Sequence, residues 1–455
     1  MDELLRTAAE RAISYRASLA DRHVAPLPDA VDRLDALGGP LPDGPDDPAA
    51  VIAKLDELGS PATIASGGGR YFGFVTGTSL PVTLAASWLA GAWDQNGALV
   101  ACSPIAARLE EIALPWLIDL LALPAGSGGG FVTGATMANF TGLAAARHAV
   151  LAQVGWDVEA AGLFGAPPVT VIVGEEVHVS LLKALTLLGF GRERVVRVPV
   201  DGQGRMRADA LPPLAGPTVV CIQAGNVNTG AFDPATEICA AAHAAGAWVH
   251  VDGAFGLWAA AAPGRAHLAA GIGDADSWST DAHKWLNVPY DSGIVVVRDP
   301  QQLRAAMAPA AAAYLALTDT REPSHFTPEI SRRARGVEVW AALRALGRSG
   351  VADLVERTCC YAKRFAEGLQ TAGFQVLNEV VLNQLLVSFG DAETTRRVIA
   401  AVQADGTCWC GGTVWQGQTA MRISVSSAAT TEADVDQSLA AILRVARGVA
   451  QPVGR

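Results

Sequence analysis

The chain is poor in cysteine, with seven cysteines among 455 residues. Cys359 and Cys360 are adjacent, and Cys408 and Cys410 form a pair with no matching His or Cys set elsewhere. Zinc sites and disulfide frameworks both need such sets at defined spacings. The sequence therefore predicts no metal site and no disulfide framework, and the cysteines are expected to be packed or exposed thiols.

Basic residues and long apolar segments are also scarce. The net charge is −11, and no basic run or basic-aromatic stripe occurs. Nucleic acids and anionic membranes are therefore not expected as partners. The longest apolar stretch, residues 305–317, is interrupted by Pro309 and is shorter than a membrane span. Because residues 1–6 lack the basic-then-apolar order of a signal peptide, the sequence predicts a cytoplasmic protein.

Half of the residues are hydrophobic, so the chain can form more than one core. We predict an N-terminal helical arm (1–70), a large domain (71–340) and a small C-terminal α+β domain (341–455). In the large domain strands alternate with helices, for example strand 218–223 and then helix 235–245. This order is typical of a mostly parallel sheet wound with helices, so the predicted fold class is α/β.

The most informative motif is the run 279–285, in which Lys284 stands between a histidine and a tryptophan just before a new apolar strand. A lysine that is partly removed from water loses its proton readily, and the free amine condenses with aldehydes. An isolated His-Lys pair is more often an ordinary surface feature. The residues upstream favour the chemical interpretation of Lys284.

Asp252 follows the apolar strand 247–251 and precedes two small residues, Gly253 and Ala254. Open α/β sheets bind ligands at the carboxyl ends of their strands. A carboxylate there can pair with the protonated ring nitrogen of pyridoxal 5′-phosphate (PLP), an aldehyde cofactor that binds lysine covalently. An aspartate after a strand is common by itself, but together with Lys284 it predicts a PLP site.

Two further segments complete a site of this size. Residues 127–139 predict a glycine-rich turn, a short strand and a second turn into a helix that starts at Asn139. Backbone N–H groups at a helix start bind phosphate, and the Thr136 hydroxyl can act as a cap or a ligand. His178 follows the strand 169–173, where a flat imidazole can stack on a flat cofactor. Taken singly, each segment is explained as well by a structural turn or a structural histidine.

Together these motifs resemble the PLP-dependent group II amino-acid decarboxylases, which include aromatic L-amino-acid, glutamate and histidine decarboxylases. The resemblance runs over nearly the whole chain, and the order and spacing of its motifs are more specific than any one of them. The matching segments are 71–74, 103–104 with 108–110, 128–136, the segment around His178, 252–254 and 283–285.

The resemblance implies fold type I, the aspartate aminotransferase-like fold of PLP-dependent transferases. It also implies a homodimer in which the N-terminal arm packs across the partner subunit. Lys284 is then the residue that forms the Schiff base, Asp252 pairs with the pyridine nitrogen, and His178 stacks over the ring. The other cofactor contacts that we expect are Ala254 against the ring, Ala135 and Thr136 at the phosphate, and Asp281 and His283 beside the lysine.

Tyr314 resembles a loop tyrosine of the family, which reaches the active site of the neighbouring subunit and helps to protonate the substrate α-carbon after CO₂ leaves. A phenol near that carbon can act as a general acid. A tyrosine packed at a helix end would give the same local pattern, because the surrounding residues are mostly alanine.

Three segments depart from the family pattern. Asp281 stands where members often have an asparagine that contributes to phosphate binding, and a carboxylate would repel that phosphate unless His283 or an arginine offsets it. A Gly-Thr-Thr turn near the cofactor is replaced by residues 225–230, which include Asn226. A Trp-x-His-Pro pattern is replaced by residues 65–70. The cofactor prediction is unaffected, but the substrate and the reaction outcome stay open.

The sequence therefore predicts a PLP-dependent carboxy-lyase that converts an L-amino acid to its amine and CO₂. Another PLP-dependent bond cleavage, by a decarboxylating aldehyde synthase, an aldolase or a carbon–sulfur lyase, is the alternative that the departures suggest. A catalytically silent PLP-fold binding protein is a third possibility, which the presence of Lys284, Asp252 and His178 disfavours. Arg422 fits both a substrate-carboxylate ligand and a structural ion pair.

Overall fold

The computed structural model describes residues 1–308 and 321–450. By its contacts the chain divides into two compact units. The first unit comprises Met1–Thr78, Tyr361–Leu377 and Leu385–Arg455, and the second comprises Ser79–Cys360 and Asn378–Gln384. The division predicted at residues 70 and 340 stays a prediction.

Several α-helices begin at residues that favour a helix start. Proline occupies the first turn of α2, α3, α4, α5 and α10, where its missing N–H has no partner to lose. In chain order the α-helices of the described residues are α1 (Asp2–Ser18), α2 (Pro28–Asp32), α3 (Pro48–Ala62), α4 (Pro81–Trp93), α5 (Pro104–Leu120), α6 (Ala135–Ala152), α7 (Val158–Ala161), α8 (Val179–Leu187), α9 (Ala235–Ala244), α10 (Pro300–Met307), α11 (Gly336–Thr371), α12 (Ala392–Asp405) and α13 (Glu432–Ala450). Over the ranges that the structure describes, no helix is both long and apolar enough to cross a membrane.

The second unit is built on a sheet whose inner strands are buried along almost their whole length. Its strands are β1 (Gly128–Val132), β2 (Thr170–Gly174), β3 (Val196–Val198), β4 (Thr218–Gln223), β5 (Trp248–Asp252), β6 (Ser277–Asp281) and β7 (Gly293–Val297). They lie in the order β1-β7-β6-β5-β4-β2-β3, with β7 antiparallel to both of its neighbours and the pairs from β6 to β3 parallel. This mostly parallel, helix-covered sheet confirms the predicted α/β class.

Helix α6 packs on β5, β6 and β7 of this sheet. Its middle consists of small buried residues, among them Ala144, Ala145 and Ala146, which allow a close approach. At Gly142 even a methyl group would lie 2.9 Å from the ring of His250. The helix therefore lies close enough for its polar side chains to reach the strands beneath it.

The structure of the glycine-rich segment differs from our prediction. Residues 128–130 were expected to form a turn, but they are the first three residues of β1, which pairs with β7. A methyl group on Gly129 would lie 2.0 Å from the carbonyl oxygen of Val295, so glycine is needed for this pairing. The predicted helix start at Asn139 is also wrong, since α6 begins at Ala135.

The first unit contains a second sheet and the N-terminal arm. Its strands, β8 (Gln375–Val376), β9 (Gln384–Ser388), β10 (Gly411–Trp415) and β11 (Gln418–Ser424), lie in the order β10-β11-β9-β8. Buried Arg70 joins the arm to C-terminal residues, because its guanidinium donates to the carbonyl oxygens of Ala20 and Thr407 at 2.6 and 2.7 Å. Helix α1, in contrast, buries none of its residues.

Gly293 in β7 provides a test of how tightly the sheet packs against the start of α6. We expect Gly293→Ala to lower the stability by about 1–3 kcal/mol, because the new methyl group would lie 2.5 Å from the Cα atom of Gly134. Thermal melting measures the effect. Gly202→Ala is the matched control, since nothing lies within 4 Å of a methyl group at that position. Equal melting temperatures for the two variants would contradict the prediction.

Candidate active site

The carboxyl ends of β4, β5 and β6 meet at one edge of the sheet in the second unit. A pocket at this edge contains four of the predicted residues, His178, Asp252, Ala254 and Lys284. Gln223, Gly225, Val227 and Phe255 complete its lining. Residues that are up to 106 positions apart in sequence therefore surround one space, as expected for ligand sites in open α/β sheets.

Lys284 is paired with a carboxylate inside this site. Its Nζ lies 3.1 Å from Oδ2 of Asp281, and the two side chains are 19% and 3% exposed. The second oxygen of Asp281, Oδ1, accepts a 2.6 Å hydrogen bond from the N–H of Ala135. Asp281 thus connects the lysine to the first residue of α6, and it caps that helix.

The neighbouring His283 does not supply the charge that offsets Asp281. Burial lowers the pKa of His283, although the carboxylate of Asp281 acts in the opposite direction. Its Nδ1 accepts from the N–H of Ser292 at 3.1 Å, and its Nε2 lies 3.6 Å from Asp281 Oδ1. The ring is therefore neutral near pH 7, and the cation that pairs with Asp281 is the ammonium of Lys284.

Asp252, the last residue of β5, is held through both of its oxygens. Oδ1 accepts from the N–H of Ala254 at 3.2 Å, and Oδ2 accepts from Nδ2 of Asn139 at 3.1 Å. The residue is 5% exposed. A buried carboxylate with two fixed donors keeps one orientation, so its position at the pocket is set in advance.

His178 and Thr136 lie at the starts of two helices. His178 precedes α8, and its Nδ1 accepts from the N–H of Ser180 at 3.3 Å. In the neutral form of the ring the proton then lies on Nε2. Thr136 is the second residue of α6, where the N–H groups of the first turn have no partner within the helix.

The departure at residues 225–230 has a structural explanation. The buried amide of Asn226 donates to Glu176 at 2.9 Å, and its oxygen accepts from the N–H groups of Asn228 and Thr229. Asn226 thus stabilises its own turn, whereas the adjacent Val227 lines the pocket. The third departure, residues 65–70, belongs to the first unit.

Some predicted residues are not in this group. Tyr314 lies outside the described residues. Arg422 is on β11 in the first unit, where burial lowers the pKa of its guanidinium. In the described part of the chain no group of three or more His, Cys, Asp or Glu side chains is placed to hold a metal ion.

Sequence reasoning missed several residues of the site. Gln223 ends the apolar strand β4, so the rule that pointed to Asp252 would have identified it as well. Asn139 carries no such signal, because its partner Asp252 is 113 positions away.

The arrangement fits PLP by its chemistry. An amine that can bind an aldehyde lies in the same pocket as a buried carboxylate suited to a ring nitrogen. The start of α6, suited to phosphate, is tied to the lysine through Asp281. The packing leaves little freedom around this space, since a methyl group on Gly134 would lie 3.1 Å from the ring of His283.

Comparison with known proteins agrees with this chemistry. The family model described as pyridoxal-dependent decarboxylase conserved domain matches residues 67–390, which is more than half of the chain. The chain belongs to the pyridoxal-dependent decarboxylase family. This membership confirms the resemblance inferred from the motifs, PLP as the cofactor, and a PLP-dependent carboxy-lyase as the class of enzyme.

Individual relatives show how far the similarity extends. The L-2,4-diaminobutyrate decarboxylase of Rhizobium meliloti (strain 1021) is 30% identical over 444 residues, which cover 92% of this chain and 85% of the relative. The structure of Oryza sativa TDC with PLP and tryptamine superimposes with a TM-score of 0.90 at 22% identity, covering 99% of this chain and 98% of the other. The structure of Rhodiola rosea 4-hydroxyphenylacetaldehyde synthase gives 0.84 at 21% identity, covering 98% and 97%. The predicted fold type I is confirmed.

The two bonds of Asp281 can be separated by mutation. We expect Asp281→Ala to lower the melting temperature more than Asp281→Asn, because asparagine still offers an oxygen to the N–H of Ala135. A buried donor left without its acceptor costs about 1–3 kcal/mol. Thermal melting of the two variants beside the unchanged protein gives the comparison. Equal losses would mean that the charge beside Lys284, and not the acceptor, accounts for the stabilisation.

Proposed function

We propose that this protein converts an L-amino acid to the corresponding amine and CO₂, with PLP held covalently by Lys284. The observation that supports this most directly is the presence of Lys284, Asp252 and His178 around one pocket. When bound, PLP supplies an electron sink for the electron pair that remains on the substrate α-carbon as CO₂ departs.

Asp252 is proposed to pair with the ring nitrogen. Its two oxygens are fixed by Ala254 and Asn139, so the carboxylate needs no reorganisation when a cationic N–H group arrives. Such preorganised charge is worth more in a water-poor site than in solution. Asp252 therefore favours the protonated ring throughout the reaction.

His178 and the start of α6 are proposed to position the cofactor. The His178 ring is oriented by the N–H of Ser180, which supports a fixed stacking surface at the pocket wall. Ala135 already gives its N–H to Asp281, so the Thr136 hydroxyl and the remaining first-turn N–H groups of α6 are the proposed phosphate donors. Asp281 Oδ2 orients the amine of Lys284 through the 3.1 Å contact.

Tyr314 is proposed as the group that delivers a proton to the substrate α-carbon. The support is its resemblance to the family's loop tyrosine, together with the general-acid capacity of a phenol. We also propose that the protein is a homodimer. Helix α1 supports this, because it buries none of its residues and leaves Leu5 and Ile13 60% and 59% exposed. The cytoplasmic location stays a prediction from the sequence.

The alternative is a PLP-dependent reaction with another outcome, above all a decarboxylating aldehyde synthase. Val227 supports keeping this alternative, because it lines the pocket at the turn where the family often has hydroxyl side chains. The products distinguish the two reactions. A decarboxylase releases CO₂ and an amine. An aldehyde synthase instead consumes oxygen and water and releases CO₂, an aldehyde, ammonia and peroxide.

The first functional prediction is the release of CO₂ with an equal amount of amine from at least one L-amino acid. The screen comprises the twenty standard amino acids with ornithine and diaminobutyrate. We expect Lys284→Arg to reduce the rate on the order of 10³-fold or more, since removal of a covalent catalytic group has effects of this size. Ammonia and peroxide are measured in the same samples. Turnover with neither CO₂ nor amine would contradict the proposal.

Borohydride reduction provides the control for the lysine itself. The chain has four lysines, Lys54, Lys183, Lys284 and Lys363. Reduction followed by peptide mapping is expected to place the cofactor label on Lys284. A label on Lys183 or Lys363 would reject the assignment even if CO₂ is released.

The second functional prediction concerns Tyr314→Phe. Removal of the phenol is expected to reduce amine formation by about 10²-fold or more, a typical general-acid contribution, while cofactor absorbance and melting temperature stay unchanged. Carbonyl product should rise relative to amine, because without this proton donor the electron pair is protonated on the cofactor instead or reacts with oxygen. Product ratios measured by chromatography test this. An unchanged rate of amine formation would reject the role of Tyr314 as proton donor.

A further inference from the structure

A continuous chain of hydrogen bonds lies beneath the site and ends at Asp252. It begins at the indole of Trp248 and passes through Ser277, His250 and Asn139. The successive contacts are Trp248 Nε1 to Ser277 Oγ at 2.9 Å, Ser277 Oγ to His250 Nδ1 at 2.7 Å, His250 Nε2 to Asn139 Oδ1 at 2.9 Å, and Asn139 Nδ2 to Asp252 Oδ2 at 3.1 Å. Of these groups, Asp252 alone is proposed above to contact the cofactor.

This series of hydrogen bonds is possible because successive side chains of a β-strand point to opposite faces of the sheet. Trp248, His250 and Asp252 are alternate residues of β5, so their side chains lie on the same face of the sheet. Helix α6 covers that face, and Gly142 permits the close approach that brings Asn139 between His250 and Asp252. Ser277 reaches the same face from the neighbouring strand β6.

The two ends of the chain fix the direction of every bond. The indole N–H can only donate, so the oxygen of Ser277 is its acceptor and the Ser277 hydroxyl proton goes to His250 Nδ1. The proton of the imidazole then lies on Nε2 and points to Asn139 Oδ1. At the other end a carboxylate can only accept, which requires Nδ2 of Asn139.

Burial keeps this direction unchanged. Asn139, His250, Ser277 and Ser279 are each 0% exposed, so water is not available to turn any of them. Burial also lowers the pKa of His250 to about 3, which leaves the ring neutral with a single N–H. The hydroxyl of Ser279 adds a second donor to Asn139 Oδ1 at 2.5 Å. With both donors in place, the amide of Asn139 cannot be reversed without leaving them unsatisfied.

We infer that Asn139 is a positioning residue that sets the orientation and charge of Asp252 towards the cofactor ring nitrogen. The inference rests on the proposed pairing of Asp252 with that nitrogen. Two donors on Asn139 Oδ1 polarise the amide, and its Nδ2–H group becomes a stronger donor to the carboxylate. Removal of Asn139 leaves Asp252 with Ala254 as its remaining donor in the described contacts, in a site with little water.

The test compares two ligands that differ only at the ring nitrogen. One is PLP, and the other is its 1-deaza analogue, in which a CH group replaces that nitrogen. Dissociation constants are measured by fluorescence quenching on the full chain after removal of its cofactor. We expect Asn139→Ala to weaken PLP binding about 10-fold to 100-fold and to leave binding of the analogue nearly unchanged.

Thr141→Val is the matched control. Thr141 lies on the same helix with the same burial, and its hydroxyl donates to the carbonyl oxygen of Met137 within α6. This variant should bind both ligands as the unchanged protein does. If Asn139→Ala fails to fold, Ser279→Ala tests the inference in its place. This variant removes one donor to Asn139 Oδ1, so it should weaken the binding of PLP by a smaller factor and leave the binding of the analogue unchanged.

Asp252→Asn separates failure of the inference from failure of the proposed function. If this variant weakens both ligands equally, Asp252 does not pair with the nitrogen, and the inference fails together with that pairing. The other outcome is that Asp252→Asn weakens the binding of PLP alone. If Asn139→Ala then weakens the binding of both ligands equally, or of neither, Asn139 has a structural role alone and the inference is overturned. Selective loss in both variants supports it.

Discussion

The site depends on the way helix α6 is fastened to two carboxylates at the ends of adjacent parallel strands. Asp281 of β6 accepts from the first N–H of the helix, and Asp252 of β5 accepts from Asn139, four residues later. The two contacts are about one helical turn apart. They fix both the height and the rotation of α6 over the sheet, and so place the helix start beside Lys284.

These carboxylates can remain charged because each has fixed partners. Asp281 has an ammonium and a backbone N–H, whereas Asp252 has two neutral donors. A buried carboxylate without such donors would be destabilising. The same contacts explain why the departure at Asp281 is compatible with the family fold. Its charge is neutralised by the lysine itself, and not by His283, whose ring is neutral near pH 7.

Local patterns predicted much of this fold, and long-range contacts account for what they missed. The strand 218–223 was predicted with its observed bounds, because β-branched and apolar residues stop at a polar residue there. Lys284 and Asp252 were found because each follows or precedes an apolar strand. In contrast, the three glycines of β1 indicate a turn by composition, and only their contacts with β7 and its surroundings require a strand. The start of α6 likewise depends on Asp281, 146 positions away.

The hydrogen bonds that connect Trp248, Ser277, His250 and Asn139 join groups without formal charge, and this has an electrostatic consequence. The carboxylate of Asp252 is supported by aligned neutral dipoles, all 0–8% exposed, which dissolved ions screen little. Lys284 and Asp281 form an ion pair, and the lysine is 19% exposed, so added salt reaches that interaction more readily. The ring end and the lysine end of one pocket therefore differ in their sensitivity to ionic strength.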